Sequence, residues 1–277
     1  LAFLKEGEVV LIENIRFYSS ELKDDVSFAK NLATLGEIFI NDAFACAHRK
    51  QASIHNIANH MDKKFGGPLL YKEVGSISKV LNNSKNPVTC IIGGSKISTK
   101  INVLINLIKK VDYIIIVGAM ANNFIKYKGI NIGKSLVENN SIKMIKKIYS
   151  ISKNSNCKIF IPEDCVISND FYGSGTNKDL NSIKDEEMIL DIGSKTVKKI
   201  YEIIDESNTI LWNGPAGYFE NRRFLNGTLS IAEKISENTK KKSLISIVGG
   251  GDTISAINKS KKKYNFTHLS TAGGAFL

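Results

Sequence analysis

The chain has 277 residues, 43% of them hydrophobic, which is enough for two ordinary domains and a sizeable core in at least one. No apolar run approaches the roughly 20 residues of a membrane-spanning helix, and no basic-then-apolar segment opens the sequence, so the expectation is a cytoplasmic protein with no membrane partner. The formal charge of +11 comes from lysines scattered along helical segments without aromatic interleaving, which reads as solvated helix faces and not as a nucleic-acid surface.

Residues 1–67 show two β-rich runs, Val9 to Phe17 and Ile38 to Phe44, around a helical stretch from about Asp25 to Leu35. An arginine accompanies each run, Arg16 in ENIRF and Arg49 in NDAFACAHR. Two strands and one helix cannot bury a proper core, and the first residue is Leu1 rather than Met. The expectation is the remainder of a domain whose beginning lies outside this sequence. Gly66-Gly67-Pro68 breaks the chain, Leu69 to Leu81 reads as a helix, and Asn86-Pro87 follows. Residues 68–86 are therefore expected to be a hinge between an incomplete N-terminal domain, 1–67, and a C-terminal domain, 87–277.

From Val88 onward apolar strands alternate with segments of helical periodicity, which predicts an α/β domain with a parallel sheet. Strand Val88 to Ile92 ends in Gly93-Gly94-Ser95-Lys96, with Lys100 on the first turn of a helix that starts at about Ser98. Both lysines are free to face solvent, or to converge on one oligophosphate. Strand Tyr113 to Val117 ends in Gly118-Ala119-Met120, small residues that suit a flat ring lying on the backbone. GINIGKS, residues 129–135, is one residue short of a Walker A loop and follows no apolar strand, so it is set aside. Helices are expected from Ile101 to Lys110, Ser141 to Ser152, Lys195 to Asp205 and Asn226 to Glu237. Strand Lys158 to Ile161 precedes a polar loop or hairpin from Phe171 to Asp185.

Strand Thr209 to Trp212 runs into Asn213-Gly214-Pro215-Ala216-Gly217, with Glu220 beyond, an amide and a carboxylate available to a nucleotide. The run Leu244 to Val248 then breaks at Gly249, Gly250 and Gly251, and Asp252-Thr253 open a helix. Alone, this reads equally as a tight turn with a capping carboxylate or as a phosphate site with Asp252 on its Mg²⁺ and Thr253 as hydroxyl donor. Repetition decides: small or functional residues close strand after strand, and ligands of parallel α/β sheets sit beyond the carboxyl ends of the strands. Thr267 to Ser270 runs into a second such loop, Thr271-Ala272-Gly273-Gly274. Cys46, Cys90, Cys157 and Cys165 show no CxxC pairing and are expected as reduced, mostly buried thiols. The spacing of His48, His55 and His60 suits no helical zinc pair.

Taken in order, ENIRF, NDAFACAHR, GGSKISTK, GAMA, GKSLVE, DIG, WNGPAGYFE, GGGDT and STAGGA resemble the phosphoglycerate kinase family over essentially the whole chain. The resemblance implies a two-domain, Rossmann-like three-layer α/β kinase with parallel sheets and an incomplete N-terminal domain, monomeric and glycolytic. It implies reversible transfer of the 1-phosphate of 1,3-bisphosphoglycerate to MgADP, giving 3-phosphoglycerate and ATP. It further implies that Gly93, Ser95, Gly118 and Ala119 line the adenine pocket and that Asn213, Pro215 and Glu220 hold the nucleoside. Lys96 and Lys100 would contact phosphates, Lys100 nearest the transferring group. Asp252 would ligate Mg²⁺, Thr253 would bind a phosphate, and the amides of Gly250, Gly251, Gly273 and Gly274 would donate to phosphates, with Gly251 and Gly274 beside Lys100 in catalysis. Arg16 and Arg49 would bind the glycerate phosphate, with Gly273 and Gly274 on the substrate side.

Departures from the family pattern are Thr99 for a usual Asp, Ala272 for a usual Gly and Ala45-Cys46 for a usual Gly-Thr. The family's opening segment, with its glycerate-binding residues and an arginine, and its closing segment are absent from these 277 residues. The expectation is therefore a partial chain that keeps nucleotide binding and lacks residues of the transfer step. The alternative is a catalytically dead nucleotide-binding protein that acts through a partner surface.

Overall fold

The structure is a computed structural model that describes residues 4–82, 84–270, 272, 273 and 275. It consists of two compact units that divide between Ser78 and Lys79.

The first unit contains helices α1 (Ser19–Leu22) and α2 (Val26–Ala33), strands β1 (Ile38–Asn41) and β2 (Lys63–Gly66), and the start of α3 (Pro68–Asn82). Asp25 caps α2 by accepting the Phe28 N–H at 2.7 Å. Much of the unit is tied by carboxylates instead of apolar packing. Glu21, buried, accepts from the Ser53 N–H at 2.8 Å and the Ser53 hydroxyl at 2.6 Å, and the Asp24 carboxylate meets His55 Nδ1 at 2.7 Å. β1 and β2 pair in parallel, a partnership the sequence pattern missed because KKFG carries only one apolar side chain.

The expected strand Val9 to Phe17 does not form. Its first part is irregular and Ile15–Phe17 is a 3₁₀ turn. Val9 is 92% exposed and Leu11 96%, and among the described residues no strand pairs with the segment. β-propensity without a neighbouring ladder leaves a strand's amides to water. Ile38, Ile40 and Phe65 are exposed for a related reason: among the described residues their sheet has two strands, too few to cover its own faces.

The second unit takes the end of α3 and continues with β3 (Val88–Ile92), α4 (Ile101–Ile108), β4 (Tyr113–Ile116), α5 (Ala119–Tyr127), α6 (Ser141–Lys153), β5 (Lys158–Phe160), β6 (Asp164–Ser168), β7 (Thr176–Asp179) and β8 (Met188–Ile192). After these come α7 (Ser194–Glu206), β9 (Thr209–Asn213), α8 (Asn226–Lys242), β10 (Ile245–Gly249), α9 (Gly251–Asn258) and β11 (His268–Ser270). The main sheet is parallel throughout, in the order β11-β10-β9-β3-β4-β5 among the described residues. β3 and β9 are buried over their whole length and mostly apolar, because both faces are covered. Ile91, Ile115, Ile210, Trp212 and Val248 pack with Val197, Ile200, Ile203 and Ile204 of α7 and with Ile231 and Ile235 of α8 in one core. Residues 197, 200, 203 and 204 make the apolar stripe of an amphipathic helix. Its N-terminus is capped from a distance by Asp164, whose carboxylate accepts the N–H of Lys195 at 3.0 Å and of Thr196 at 2.8 Å.

The polar segment read as a loop or hairpin supplies β7, and DIG closes β8. Both pair antiparallel with β6, with a bulge between Val166 and Ile167. This small sheet, β7-β6-β8, departs from the purely parallel expectation. The short, polar β7 (TNKD) carries no period-2 apolar signal that could have announced it.

Candidate active site

The strand order places a topological switch between β3 and β9: the chain proceeds from β3 outward through β4 and β5, and from β9 outward through β10 and β11. In such a sheet the two connections leave in opposite directions and open a crevice at the carboxyl ends. Register aligns those ends, since Ile116, Ile92, Asn213, Gly249 and Ser270 are successive partners across the sheet. The loops that follow, each rich in glycine or amide residues, are thus brought side by side.

At the switch the two backbones touch. The Gly93 N–H donates to Asn213 O at 2.8 Å, and a Cβ on Gly93 would lie 2.3 Å from Pro215 O. Gly118, at φ +67°, sits where a Cβ would meet Pro215 O at 2.9 Å. Glycine is demanded here by close approach, and at Gly118 also by a left-handed backbone. The loop after β3 is held from its other side by Glu138, which accepts from the Ser98 N–H at 2.9 Å and from the Ser98 hydroxyl. Lys100 precedes α4 instead of lying in its first turn. Its ammonium donates to Gly93 O and to Asn213 Oδ1, both at 2.8 Å, so it bridges the two sides of the switch. Burial lowers its pKa to about 8, against the opposing pull of nearby Cys90 and Asp252.

Gly250, at φ +101°, precedes α9, and its N–H donates to Ala272 O at 2.7 Å. Thr253 is fully buried, and its hydroxyl accepts the Gly214 N–H at 2.7 Å, so in this structure it fastens the β9 loop to α9. Asp252, on the first turn of α9, is exposed and has no hydrogen-bonded partner among the described residues. The Asn213 amide reaches Gly273 O at 3.3 Å. Gly274 lies outside the described residues.

A cavity of about 520 Å³ opens beside these loops. Gly94, Ser95, Gly118, Ala119, Pro215, Glu220 and Asp252 line it together, so the structure gathers one wall from residues far apart in sequence. Lys96 is exposed on the adjoining loop and outside the lining. The opposite wall was not foreseen: Asn122, Leu136, Phe171, Tyr218 and the β8 residues 188–192. Lys134 also lines it, from the GKS run set aside as a Walker A near-miss. The sequence signal was present in GKSLVE and DIG, but only tertiary packing shows that they face a cavity. Its size and mostly apolar lining suit a nucleoside. In the first unit, Arg16 lines a separate cavity of about 360 Å³ with Asn41, Asp42 and Gln51, and Arg49 is exposed outside that lining.

A doubly wound parallel sheet with a glycine-lined crevice at its switch point is the architecture of nucleotide-dependent α/β enzymes. The comparisons narrow this. The family model for phosphoglycerate kinase matches residues 1–277. A phosphoglycerate kinase of Wolbachia pipientis from Culex pipiens is 44% identical over 273 residues, covering 98% of this chain and 69% of the relative. The phosphoglycerate kinase structure from Coxiella burnetii superposes with a TM-score of 0.79 at 38% identity, over 95% of this chain and 67% of that one. For the structure from Pyrococcus horikoshii the values are 0.78 and 29%, over 99% and 70%. The chain belongs to the phosphoglycerate kinase family, and is by family a phosphotransferase.

Proposed function

We propose that the chain takes part in reversible transfer of the 1-phosphate of 1,3-bisphosphoglycerate to ADP, with the nucleotide bound in the second unit at the β3/β9 switch. The observation that carries the site assignment is the convergence of Lys100, Asp252 and the Gly250 loop at one end of the parallel sheet, beside a nucleoside-sized cavity. In the transfer, the phosphorus–oxygen bond to the C1 carboxyl breaks, phosphorus bonds to a terminal oxygen of ADP, and the carboxylate of 3-phosphoglycerate leaves. Such a reaction needs positioning and charge neutralisation more than an unusual nucleophile.

Each residue has a matching task. Gly93, Ser95, Gly118 and Ala119 take the base, and Asn213, Pro215 and Glu220 the rest of the nucleoside. Lys96, Thr253 and the amides of Gly250, Gly251, Gly273 and Gly274 serve the phosphates. Lys100, clamped by two acceptors and protonated at neutral pH, faces the transferring group. Asp252 is a free, exposed carboxylate and thus a suitable oxygen ligand for Mg²⁺, whose other ligands would come from phosphate and water. The ion would spread positive charge over the phosphate oxygens. Arg16 and Arg49 serve the glycerate phosphate, with the first unit and the second separated by a hinge at residues 68–86.

The same reading makes the protein a cytoplasmic monomer with small-molecule substrates and no nucleic-acid partner. The absence of any helix long and apolar enough to cross a membrane among the described residues is compatible with it. Calorimetric titration of MgADP into the 277-residue chain tests the nucleotide side. Binding that weakens in both Asp252→Ala and Lys100→Ala supports the assignment. A chain folded by circular dichroism that binds no MgADP, or binds it equally well in both variants, overturns it.

A further inference from the structure

Asp191 lies in the wall of the nucleotide cavity, on β8, with only 2% of its surface exposed. One carboxylate oxygen accepts the N–H of Ile192 at 2.9 Å, and the other accepts the N–H of Gly227, in the first turn of α8, at 2.8 Å. Two glycines are moulded around it. A Cβ on Gly217 would lie 2.5 Å from Asp191 Oδ1, and one on Gly227 2.3 Å from the same atom. Gly217 belongs to the Gly214–Glu220 loop, and the neighbouring Tyr218 N–H donates to Leu190 O at 2.7 Å. A single buried carboxylate therefore sits where β8, the start of α8 and the loop after β9 meet. The phosphate-site residues Asp252 and Lys100 do not touch it.

We propose that Asp191 is a positioning residue for nucleotide binding: its ionised carboxylate holds the start of α8 against β8, and α8 in turn holds the Gly214–Glu220 loop through the Thr228 hydroxyl, which accepts the Ala216 N–H at 2.9 Å, so that the wall on which the nucleoside rests is set. The proposal builds on the assignment of the cavity to the nucleoside. A carboxylate is the group that accepts from two N–H donors at once without a hydrogen of its own in the way. The protonated acid carries a hydrogen on one oxygen, and an Asn places an NH₂ against one of the two donors. Either change weakens one tether.

The surroundings favour the neutral form. β6 presents Val166 opposite Asp191, α8 presents Gly227, and the β9 loop presents Gly217. None of these titrates; the same cavity is also lined by the titratable Cys165 of β6 and Tyr218 of the β9 loop, and by the charged Lys134, Glu220 and Asp252. With no cation against it among the described residues, burial raises the Asp191 pKa to about 7, opposed by the Gly227 and Ile192 amides. The folded chain therefore holds a proton on Asp191 that the unfolded chain gives up. That contribution to stability is present below about pH 4 and is lost as pH rises through 7. Nucleoside affinity should move the other way and rise with ionisation. A purely structural carboxylate would change stability alone and leave the affinity of the folded chain flat with pH.

The test uses adenosine, which does not titrate between about pH 6 and 8, with the whole chain and Asp191→Asn. Calorimetry should give about fivefold tighter binding to the wild type at pH 8 than at pH 6, while urea stability falls over the same interval. Asp191→Asn should bind about tenfold more weakly than wild type at pH 8 and show no such pH dependence. Equal affinity of variant and wild type at pH 8, or a wild-type affinity flat from pH 6 to 8, overturns the proposal, and the wild-type profile decides even if the variant does not fold. A folded wild type that binds no adenosine at either pH overturns the nucleoside assignment and the proposal with it.

Discussion

Replacing Gly93 by alanine adds one methyl group at the point where β3 and the β9 loop touch. That methyl would lie 2.3 Å from Pro215 O and 2.7 Å from Gly214 C and O, roughly 1 Å inside ordinary contact. The offended atoms are backbone, so no side-chain rotation relieves them. They are anchored by Gly214 N–H to Thr253 and by Gly118 N–H to Ala216 O. Overpacking of this kind costs about 1–3 kcal/mol, and the strained Gly93 to Asn213 hydrogen bond adds about 1. The expected loss is about 2–4 kcal/mol. Gly251 is the matched control: among the described residues nothing lies within 4 Å of its added Cβ, its backbone needs no glycine, and it is the first residue of α9. Alanine there should leave stability unchanged or raise it by up to about 1 kcal/mol through helix propensity. The only tryptophan, Trp212, is fully buried in β9 next to the contact, so its fluorescence during urea unfolding reports the right unit. Gly93→Ala within about 0.5 kcal/mol of wild type, or Gly251→Ala equally damaging, would refute the close-approach argument.

Three further outcomes follow from buried charges and thiols. Lys100→Met should stabilise the free chain at neutral pH by up to about 3 kcal/mol, since burial has pulled the lysine from 10.5 to about 8, yet abolish MgADP binding in calorimetry. Because the unfolded lysine holds its proton over that window and the folded one does not, wild-type stability should rise from pH 8 to 10 relative to the variant, measured by urea titration. Asp164→Ala should cost about 3 kcal/mol and speed amide exchange at the start of α7. It removes the acceptor for the Lys195 and Thr196 amides, the Thr196 hydroxyl and Asn177 Nδ2. Alkylation of the native chain at pH 8, read by mass spectrometry, should modify Cys46 first, because burial pushes the thiols of Cys90 and Cys165 up to about 12.

The parallel sheet was legible because its strands are buried on both faces. VTCII, YIII and TILWN need no alternation to be read, and the glycines that end them mark the crevice. The ends of those strands were legible for the same reason: Gly93 and Asn213 stand immediately after apolar runs, and Gly249–Gly251 break the run of β10. Where a strand depended on its partner, the sequence misled. EVVLIENIRF has ample β-propensity and forms no strand, whereas KKFG has little and pairs with β1 over its whole length. The far wall of the cavity was illegible for a different reason. Its residues come from helix α5 and the loop after it, from strand β8 and from the loops after β6 and β9, where local pattern reports burial but not what is buried against what.

The switch point also explains why stability and binding are opposed in this unit. An apolar residue in place of Lys100 or of Asp191 would relieve the cost of burying a charge. Either change would neutralise the crevice. The free chain holds Lys100 between two neutral acceptors, Gly93 O and Asn213 Oδ1, with no carboxylate bonded to it among the described residues. A polyphosphate arriving beside that ammonium would supply the missing anion and raise the lysine pKa. Binding should therefore take up protons between about pH 8 and 10, visible as a buffer-dependent heat in calorimetry. A MgADP heat that does not change with the ionisation enthalpy of the buffer at pH 9 would place Lys100 away from the phosphates.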